Sequence, residues 1–252
     1  MLNSNGRDRC QSCLCSRFRK IAFSACGLTL DIGRQRMTEA DFNSLLEIAR
    51  EKGVLGANAA MREGQIVNAS EGRAALHTAL RDPAVGAPFH KEVQEAFEHM
   101  CAFADDVRSG RRRGCRGDTI TDVINVGIGG SEVGPKTVYQ ALRTTREQVR
   151  LHFLAAADGV SFDRIVGDLN PFKTLVIVSS KSFTTRETAV NAAAIDQWLL
   201  EAGISGEDRA RHMVVVSANK NAARDMNLPE ENFFPIWEWV GGRFSVWSAI
   251  GL

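Results

Sequence analysis

Strand-like runs alternate with helical stretches through the second half of the chain, and this alternation constrains the fold more than any other feature. The runs are short and rich in β-branched residues, and they read TDVINVG, RLHFLAAAD, KTLVIVSS, HMVVVSA and NFFPIWEWV. Strands that alternate with helices form βαβ units, in which helices cover both faces of a parallel sheet. The sequence therefore predicts an α/β fold. Such sheets bind ligands at the carboxyl ends of their strands, near the point where the strand order reverses.

The residues before this alternation have helical spacing. The stretch MTEADFNSLLEIAREKG carries a capping-box pattern at Thr38 and Asp41, and KEVQEAFEHMCAFADDVRSG repeats apolar residues at three- and four-residue steps. Between them, His77 is interpreted as a structural histidine, because no neighbour completes an acid/base pair. We predict a disordered start over 1–16, a helical segment over 17–107, an exposed basic linker over 108–118 and the α/β domain over 119–252.

Composition excludes several classes of function. The chain has 252 residues and a net charge of +1, so its overall field does not favour nucleic acid. Its longest apolar runs are too short to cross a bilayer, and no secretion signal begins the sequence. We therefore predict a cytoplasmic protein that binds neither membrane nor nucleic acid. The six cysteines are expected to be reduced, and CQSCLC lacks the second ligand pair of a structural zinc site, so no metal is predicted.

A glycine-rich stretch, VGIGGSEVGPKT, follows the first predicted strand, and Pro135 is expected in the first turn of the next helix. Glu132 occupies the third glycine position of a dinucleotide fingerprint, and Pro135 displaces Lys136 from its place in a Walker A loop. Asp158, at the end of the next strand, sits where a ribose-binding acid would sit, which keeps a nucleotide-binding domain open. The other interpretations are a loop that holds a sugar phosphate through backbone amides and Ser131, or a tight turn without a ligand.

A second stretch, SSKSFTTRET, crowds hydroxyl side chains between a buried strand and a helix. Thr184 and Glu187 predict a capping box, which explains one hydroxyl group. It leaves Ser180, Ser182 and Thr185 unexplained. The start of a helix offers unpaired N–H donors and a partial positive charge, and hydroxyl groups add neutral donors. The stretch therefore predicts a phosphate site.

These two stretches, together with IWEWVGGRFSVWSAIGL, NASEGRAALHTALR and, more loosely, RFRKIAFSACGLTLDIGRQRMT, closely resemble the glucose-6-phosphate isomerase family. The resemblance runs from about Arg17 to the last residue. It implies a sugar-isomerase (SIS) type of parallel sheet after a helical N-terminal segment, in a chain truncated before the second, large domain is complete. It also implies a homodimer that converts glucose 6-phosphate reversibly to fructose 6-phosphate through a cis-enediolate, without a metal or organic cofactor.

The resemblance further implies the residues of the site. Arg243, in VGGRFS, would stabilise the enediolate, whereas Glu132, Glu187 and Glu238 are interpreted as local structure. The residues expected to bind the sugar phosphate are Gly130, Ser131, Ser180, Lys181, Ser182, Phe183, Thr184 and Thr185. The family's glutamate general base is not found in these 252 residues, so we expect this chain alone to turn over substrate poorly or not at all. The alternative is a non-catalytic module that binds sugar phosphates.

Overall fold

The structure is a computed structural model that describes residues 22–144 and 148–252. The chain divides into two compact units, 1–59 and 60–252. The disorder predicted for the first sixteen residues, and the cysteine cluster within them, lie outside the described residues.

The described part of the first unit begins with an antiparallel hairpin. Its strands are β1, Ala22–Ala25, and β2, Leu28–Asp31. Cys26 and Gly27 connect them with φ angles of 53° and 75°. A two-residue hairpin turn with positive φ at both positions matches the twist of the strands it joins.

The helix α1, Glu39–Glu51, begins where the sequence predicts. Thr38 Oγ1 accepts a hydrogen bond from the amide of Asp41 at 3.2 Å, and the Asp41 carboxylate accepts one from the amide of Thr38 at 2.7 Å. The predicted capping box is therefore confirmed, and its hydrogen bonds lower the pKa of Asp41. A second helix, α2, spans Val54–Arg62.

Five parallel strands form the sheet of the second unit, and the predicted α/β fold is confirmed. The strands are β3 (Asp122–Val126), β4 (Arg150–Leu154), β5 (Thr174–Ser179), β6 (Met213–Ser217) and β7 (Phe233–Pro235). Their spatial order is β4-β3-β5-β6-β7. The chain passes from β3 to β4 on one side and then to β5 on the other, so the strand order reverses between β3 and β5. Their ends are level, because Val126 of β3 aligns with Val178 of β5.

Helices cover both faces of this sheet. They are α3 (His90–Arg108), α4 (Gly130–Leu142), α5 (Gly159–Val166), α6 (Arg186–Glu201) and α7 (Ala222–Asp225). Apolar side chains of α3 and of the C-terminal 3₁₀ turns pack on one face, and those of α5, α6 and α7 pack on the other. Each fully buried aliphatic side chain contributes about 1.5–3 kcal/mol. The two cores therefore hold the carboxyl ends of the strands in fixed positions.

The basic segment 108–118 packs at its middle against neighbouring parts of the second unit, so the prediction that it is exposed is wrong there. A Cβ on Gly114 would lie 2.8 Å from the imidazole of His212. That imidazole is held by the carbonyl of Thr174 at Nδ1 and accepts the amide of Cys115 at Nε2, both at 2.9 Å. Burial lowers the pKa of His212, which favours the neutral ring that this arrangement requires. The division at 17–107, 108–118 and 119–252 itself stays a prediction.

None of the described helices is both long and apolar enough to cross a bilayer. Over the described ranges, no three His, Cys, Asp or Glu side chains gather as metal ligands would. The described cysteines, Cys26, Cys101 and Cys115, are free thiols.

Candidate functional site

Two loops leave neighbouring strands at the same edge of the sheet. The glycine loop, residues 127–130, follows β3, and the hydroxyl loop, residues 180–185, follows β5. The glycine loop lies close to the end of β5, from which the hydroxyl loop begins, because a Cβ on Gly127 would lie 3.0 Å from the carbonyl oxygen of Ser179. This is the point where the strand order reverses, and parallel sheets bind their ligands in that crevice. The structure thus brings together the two stretches that the sequence singles out.

A hydrogen bond from the sheet holds the start of helix α4, at a carbonyl that a proline leaves without its helical donor. Helix α4 begins at Gly130, so Pro135 is its sixth residue, and the prediction that Pro135 lies in the first turn is wrong. Proline has no N–H, so the carbonyl of Ser131 has no helical donor four residues on. The side-chain amide of Asn125, on β3, donates to that carbonyl instead at 2.8 Å. At the start of the helix, Gly129 has φ 60° and ψ −121°, which only glycine adopts readily.

The amides at the start of α4 are already used within the turn. Ser131 donates to the carbonyl of Ile128 at 3.2 Å, and Glu132 and Val133 donate to Gly129 at 3.1 and 2.8 Å. These three amides are therefore not available to a ligand. Of the groups expected to bind a ligand in this part of the site, the Ser131 hydroxyl and the backbone before Ser131 remain available.

Two serine hydroxyls of the hydroxyl loop keep their protons free. Ser180 is buried, and its oxygen accepts the amide of Phe183 at 3.2 Å. Ser182 accepts both the amide and the hydroxyl of Thr184, at 3.3 and 2.8 Å. A hydroxyl group can accept and donate at once. The protons of Ser180 and Ser182 therefore remain available to an anion.

Helix α6 begins one residue later than predicted. Its N-cap is Thr185, whose side chain makes no capping hydrogen bond, so the predicted box between Thr184 and Glu187 is wrong. Phe183, with a positive φ of 57°, turns the chain in a left-handed conformation that is unusual outside glycine. The first turn of α6 consequently presents amides that no side chain caps, which is the arrangement that favours a bound anion.

A cavity of about 300 Å³ opens beside this helix start. Its polar lining residues include Ser180, Thr185, Thr188, Asp196, Arg209 and Asp225. Thr188 is 4% exposed, and its oxygen has no hydrogen-bond partner among the described residues. Leaving such a group unpaired costs about 1–3 kcal/mol. Sequence reasoning missed Thr188, although its spacing three residues after Thr185 places both on one helical face.

A third segment, the arginine segment of residues 238–243, meets the glycine loop. Gly242 and Gly130 are in backbone contact, since a Cβ on Gly130 would lie 2.7 Å from the carbonyl carbon of Gly242. The hydroxyl of Ser245 donates to the carbonyl of Gly242 at 2.7 Å and lies 3.3 Å from that of Gly130. Arg243 is exposed and pairs with no carboxylate in the described part of the chain. Its guanidinium thus has no carboxylate partner among the described residues, and the Arg243 backbone directly follows the contact of Gly242 with Gly130.

Lys181 points from the hydroxyl loop toward the arginine segment. Its ammonium donates to the carbonyls of Glu238 and Val240 at 2.7 and 2.9 Å, and it lies 3.6 Å from the Glu238 carboxylate. Burial lowers the pKa of Lys181, and the charge of Glu238 acts in the opposite direction. Glu238 is also ion-paired with Arg73, which agrees with its interpretation as local structure.

Three other candidate side chains are engaged locally. Glu132 forms an ion pair with the lysine four residues on, at 2.8 Å. Asp158 caps α5 by accepting the amide of Ser161 at 2.8 Å, and this hydrogen bond lowers the pKa of Asp158. A carboxylate committed to a helix cap is a poor ribose ligand, so the nucleotide interpretation loses its support. His77 stacks on Phe244 with 3.8 Å between ring centroids, and burial lowers its pKa.

Comparisons with known proteins agree on one family. A family profile described as "Phosphoglucose isomerase" matches residues 31–252. "Glucose-6-phosphate isomerase 2" of Cupriavidus pinatubonensis is 45% identical over 244 residues, covering 94% of this chain and 45% of that protein. "Glucose-6-phosphate isomerase" of Paraburkholderia phytofirmans is 43% identical over 238 residues, covering 94% of this chain and 44% of that protein.

A solved structure agrees as well. The crystal structure of a glucose-6-phosphate isomerase from Chlamydia trachomatis superposes with a TM-score of 0.80 at 27% identity, covering 94% of this chain and 46% of that one. The chain thus spans less than half the length of the curated relatives and of the solved structure that it matches.

Proposed function

The chain belongs to the phosphoglucose isomerase family, and on that premise we propose that it supplies the sugar-phosphate-binding part of a glucose-6-phosphate isomerase. The proposed reaction interconverts glucose 6-phosphate and fructose 6-phosphate through a cis-enediolate. The observation that carries the proposal is the meeting of the glycine loop and the hydroxyl loop where the strand order reverses. A cytoplasmic homodimer is part of the same proposal, and fractionation and sedimentation of the whole protein test it.

The hydroxyl loop is proposed to hold the phosphate. Ser180, Ser182 and Thr185 offer hydroxyl protons beside the uncapped start of α6, and Thr188, whose hydroxyl is unpaired among the described residues, lines the same cavity as Ser180 and Thr185. Hydroxyl groups bind a dianion without leaving a buried positive charge when the site is empty. The phosphate lies far from the reacting carbons, so its binding energy serves to fix the sugar in the reactive position.

Arg243 is proposed to act at the other end of the sugar. An exposed, unpaired guanidinium can approach the oxygens on which negative charge develops when the proton at C2 is removed. A fixed donor at such a position lowers the barrier by about 3 kcal/mol. The carboxylate that removes the proton is proposed to lie outside these 252 residues. Binding and turnover therefore need separate measurements.

Calorimetric titration with fructose 6-phosphate tests the binding half of the proposal. The double variant Ser180→Ala/Thr185→Ala removes two donors to a charged group, each worth about 1.5–3 kcal/mol, so affinity should fall by at least ~100-fold. A matched control, Ser109→Ala/Thr137→Ala, removes two exposed hydroxyls that bond to helix carbonyls outside the cavity. The control should bind like the wild type. Equal losses in both double variants would contradict the assigned phosphate site.

A coupled assay of fructose 6-phosphate formation tests the turnover half. The 252-residue chain should bind substrate and yet turn it over poorly, because general base catalysis contributes roughly 10²–10⁴ in rate. Robust turnover by this chain would show that a base lies within it. Binding without turnover by the whole protein would favour a non-catalytic sugar-phosphate module instead.

A further inference from the structure

Lys181 is part of the hydroxyl loop, yet its ammonium faces away from the hydroxyl groups. It does not line the cavity that Ser180, Thr185 and Thr188 share. An ammonium group has three donors. Two of them go to the carbonyls of Glu238 and Val240, and the Glu238 carboxylate lies beside the third. The hydrogen-bonding capacity of Lys181 is thus used by the arginine segment and not by the cavity.

The arginine segment is also held from its other side. Arg73 forms an ion pair with the Glu238 carboxylate and donates to the Glu238 carbonyl at 3.3 Å. Arg73 is in turn paired with Glu71 at 3.2 Å. Glu238 therefore lies between two cations, one from the hydroxyl loop and one from the residues before α3.

These contacts close a ring of three loops. Lys181 joins the hydroxyl loop to the arginine segment, whose Gly242 touches Gly130 of the glycine loop. The glycine loop in turn contacts the end of β5, where the backbone of Gly127 lies close to that of Ser179. Two of these junctions are contacts of backbone with backbone. The Lys181 junction depends on one flexible side chain, so it is the junction that a single substitution can open.

We propose that Lys181 is a positioning residue, which fixes the distance between the phosphate site and Arg243 through its hydrogen bonds to Glu238 and Val240. The proposal rests on the proposed function, because it assumes a phosphate at the hydroxyl loop and a sugar oxygen at Arg243. It replaces the expectation that the Lys181 side chain binds the substrate directly. Phosphate affinity should then be independent of this ammonium, whereas affinity for the whole sugar phosphate should depend on it.

Lys181→Met tests this split, because methionine keeps an unbranched apolar stem and removes the ammonium. Inorganic phosphate and fructose 6-phosphate are titrated calorimetrically into both proteins. Phosphate affinity should change less than threefold, and fructose 6-phosphate affinity should fall tenfold or more. Lys173→Met is the matched control, because it removes one positive charge at the amino end of β5, the opposite edge of the sheet. It should leave both affinities unchanged.

Arg73→Met provides an independent perturbation of the same junction, should Lys181→Met fail to fold. It releases Glu238 without touching the hydroxyl loop, and it should weaken fructose 6-phosphate severalfold while leaving inorganic phosphate unaffected. If Lys181→Met loses affinity for both ligands equally, Lys181 binds phosphate directly. If neither variant loses affinity for either ligand, Lys181 has no positioning role. Both results overturn the positioning proposal alone. A wild-type chain that binds inorganic phosphate but gains nothing from the sugar would overturn the proposed function as well.

Discussion

Replacing Gly130 with alanine tests the contact that joins the glycine loop to the arginine segment. A Cβ at this position would lie 2.7 Å from the carbonyl carbon of Gly242 and 2.9 Å from its Cα. Ordinary contacts begin at 3.4 Å, and the carbonyl oxygen of Gly242 would be nearer still, so the two backbones must separate by more than 0.7 Å. Neither partner has a side chain that could rotate away. Overpacking of this kind typically costs about 1–3 kcal/mol.

The matched control lies on the opposite side of the same contact. A Cβ on Gly242 would meet no heavy atom within 4 Å, and its φ is not in the left-handed region. Gly242→Ala should therefore be nearly neutral, or slightly stabilising through the unfolded chain.

Thermal unfolding followed by circular dichroism distinguishes the two variants. For a domain of this size, a loss of 1–3 kcal/mol lowers the melting temperature by about 2–12 °C. The melting temperature of Gly130→Ala should lie in that range below that of the wild type, whereas Gly242→Ala should melt at the wild-type temperature. A Gly130→Ala protein that melts within about 1 °C of the wild type would refute the close backbone approach, given the same scale.

Three further perturbations address other contacts. Asn125→Ala leaves the carbonyl of Ser131 unpaired and should lower the free energy of unfolding by about 1–3 kcal/mol, measured with denaturant. An unchanged stability would contradict the view that Asn125 replaces the helical donor that Pro135 lacks. Thr38→Ala removes one half of the capping box and should lower the stability of α1 by about 0.5–2 kcal/mol, read from helical circular dichroism. Burial lowers the pKa of His212, so the unfolded chain takes up its proton first, and stability should fall as the pH drops below about 6.5. His212→Gln should flatten that part of the wild-type profile, and an unchanged slope would assign it to other groups.

The sheet could be predicted from the sequence because three of its five strands are fully buried. Every residue of β3, β5 and β6 is buried, and each strand is mostly apolar, although β3 also carries the buried polar residues Asp122 and Asn125. Strands of one parallel sheet end at the same edge, and that rule alone brings the residues after Val126 and Ser179 together. The capping box of α1 could be predicted for a similar reason, because both of its hydrogen bonds join Thr38 and Asp41, three residues apart.

The details of the site could not be predicted because they depend on distant partners or on competing local signals. Thr184 and Thr185 are both good N-caps, and the left-handed conformation of Phe183 decides between them. Lys181 bonds to a carbonyl 57 residues along the chain, which no spacing rule reveals. The unpaired hydroxyl of Thr188 becomes apparent only once the cavity around it is known.

The bond between Asn125 and Ser131 also has a mechanical consequence. An ordinary helix carries strain along its axis from one turn to the next, because each turn is tied to the one before it. In α4 the tie at Pro135 is missing, and its place is taken by a strand in the middle of the sheet. Bending of the distal turns of α4 should therefore displace the residues around Gly129 less than it would in an unbroken helix. The first turn of this helix would then move with β3, while the remainder follows whatever packs against its outer surface.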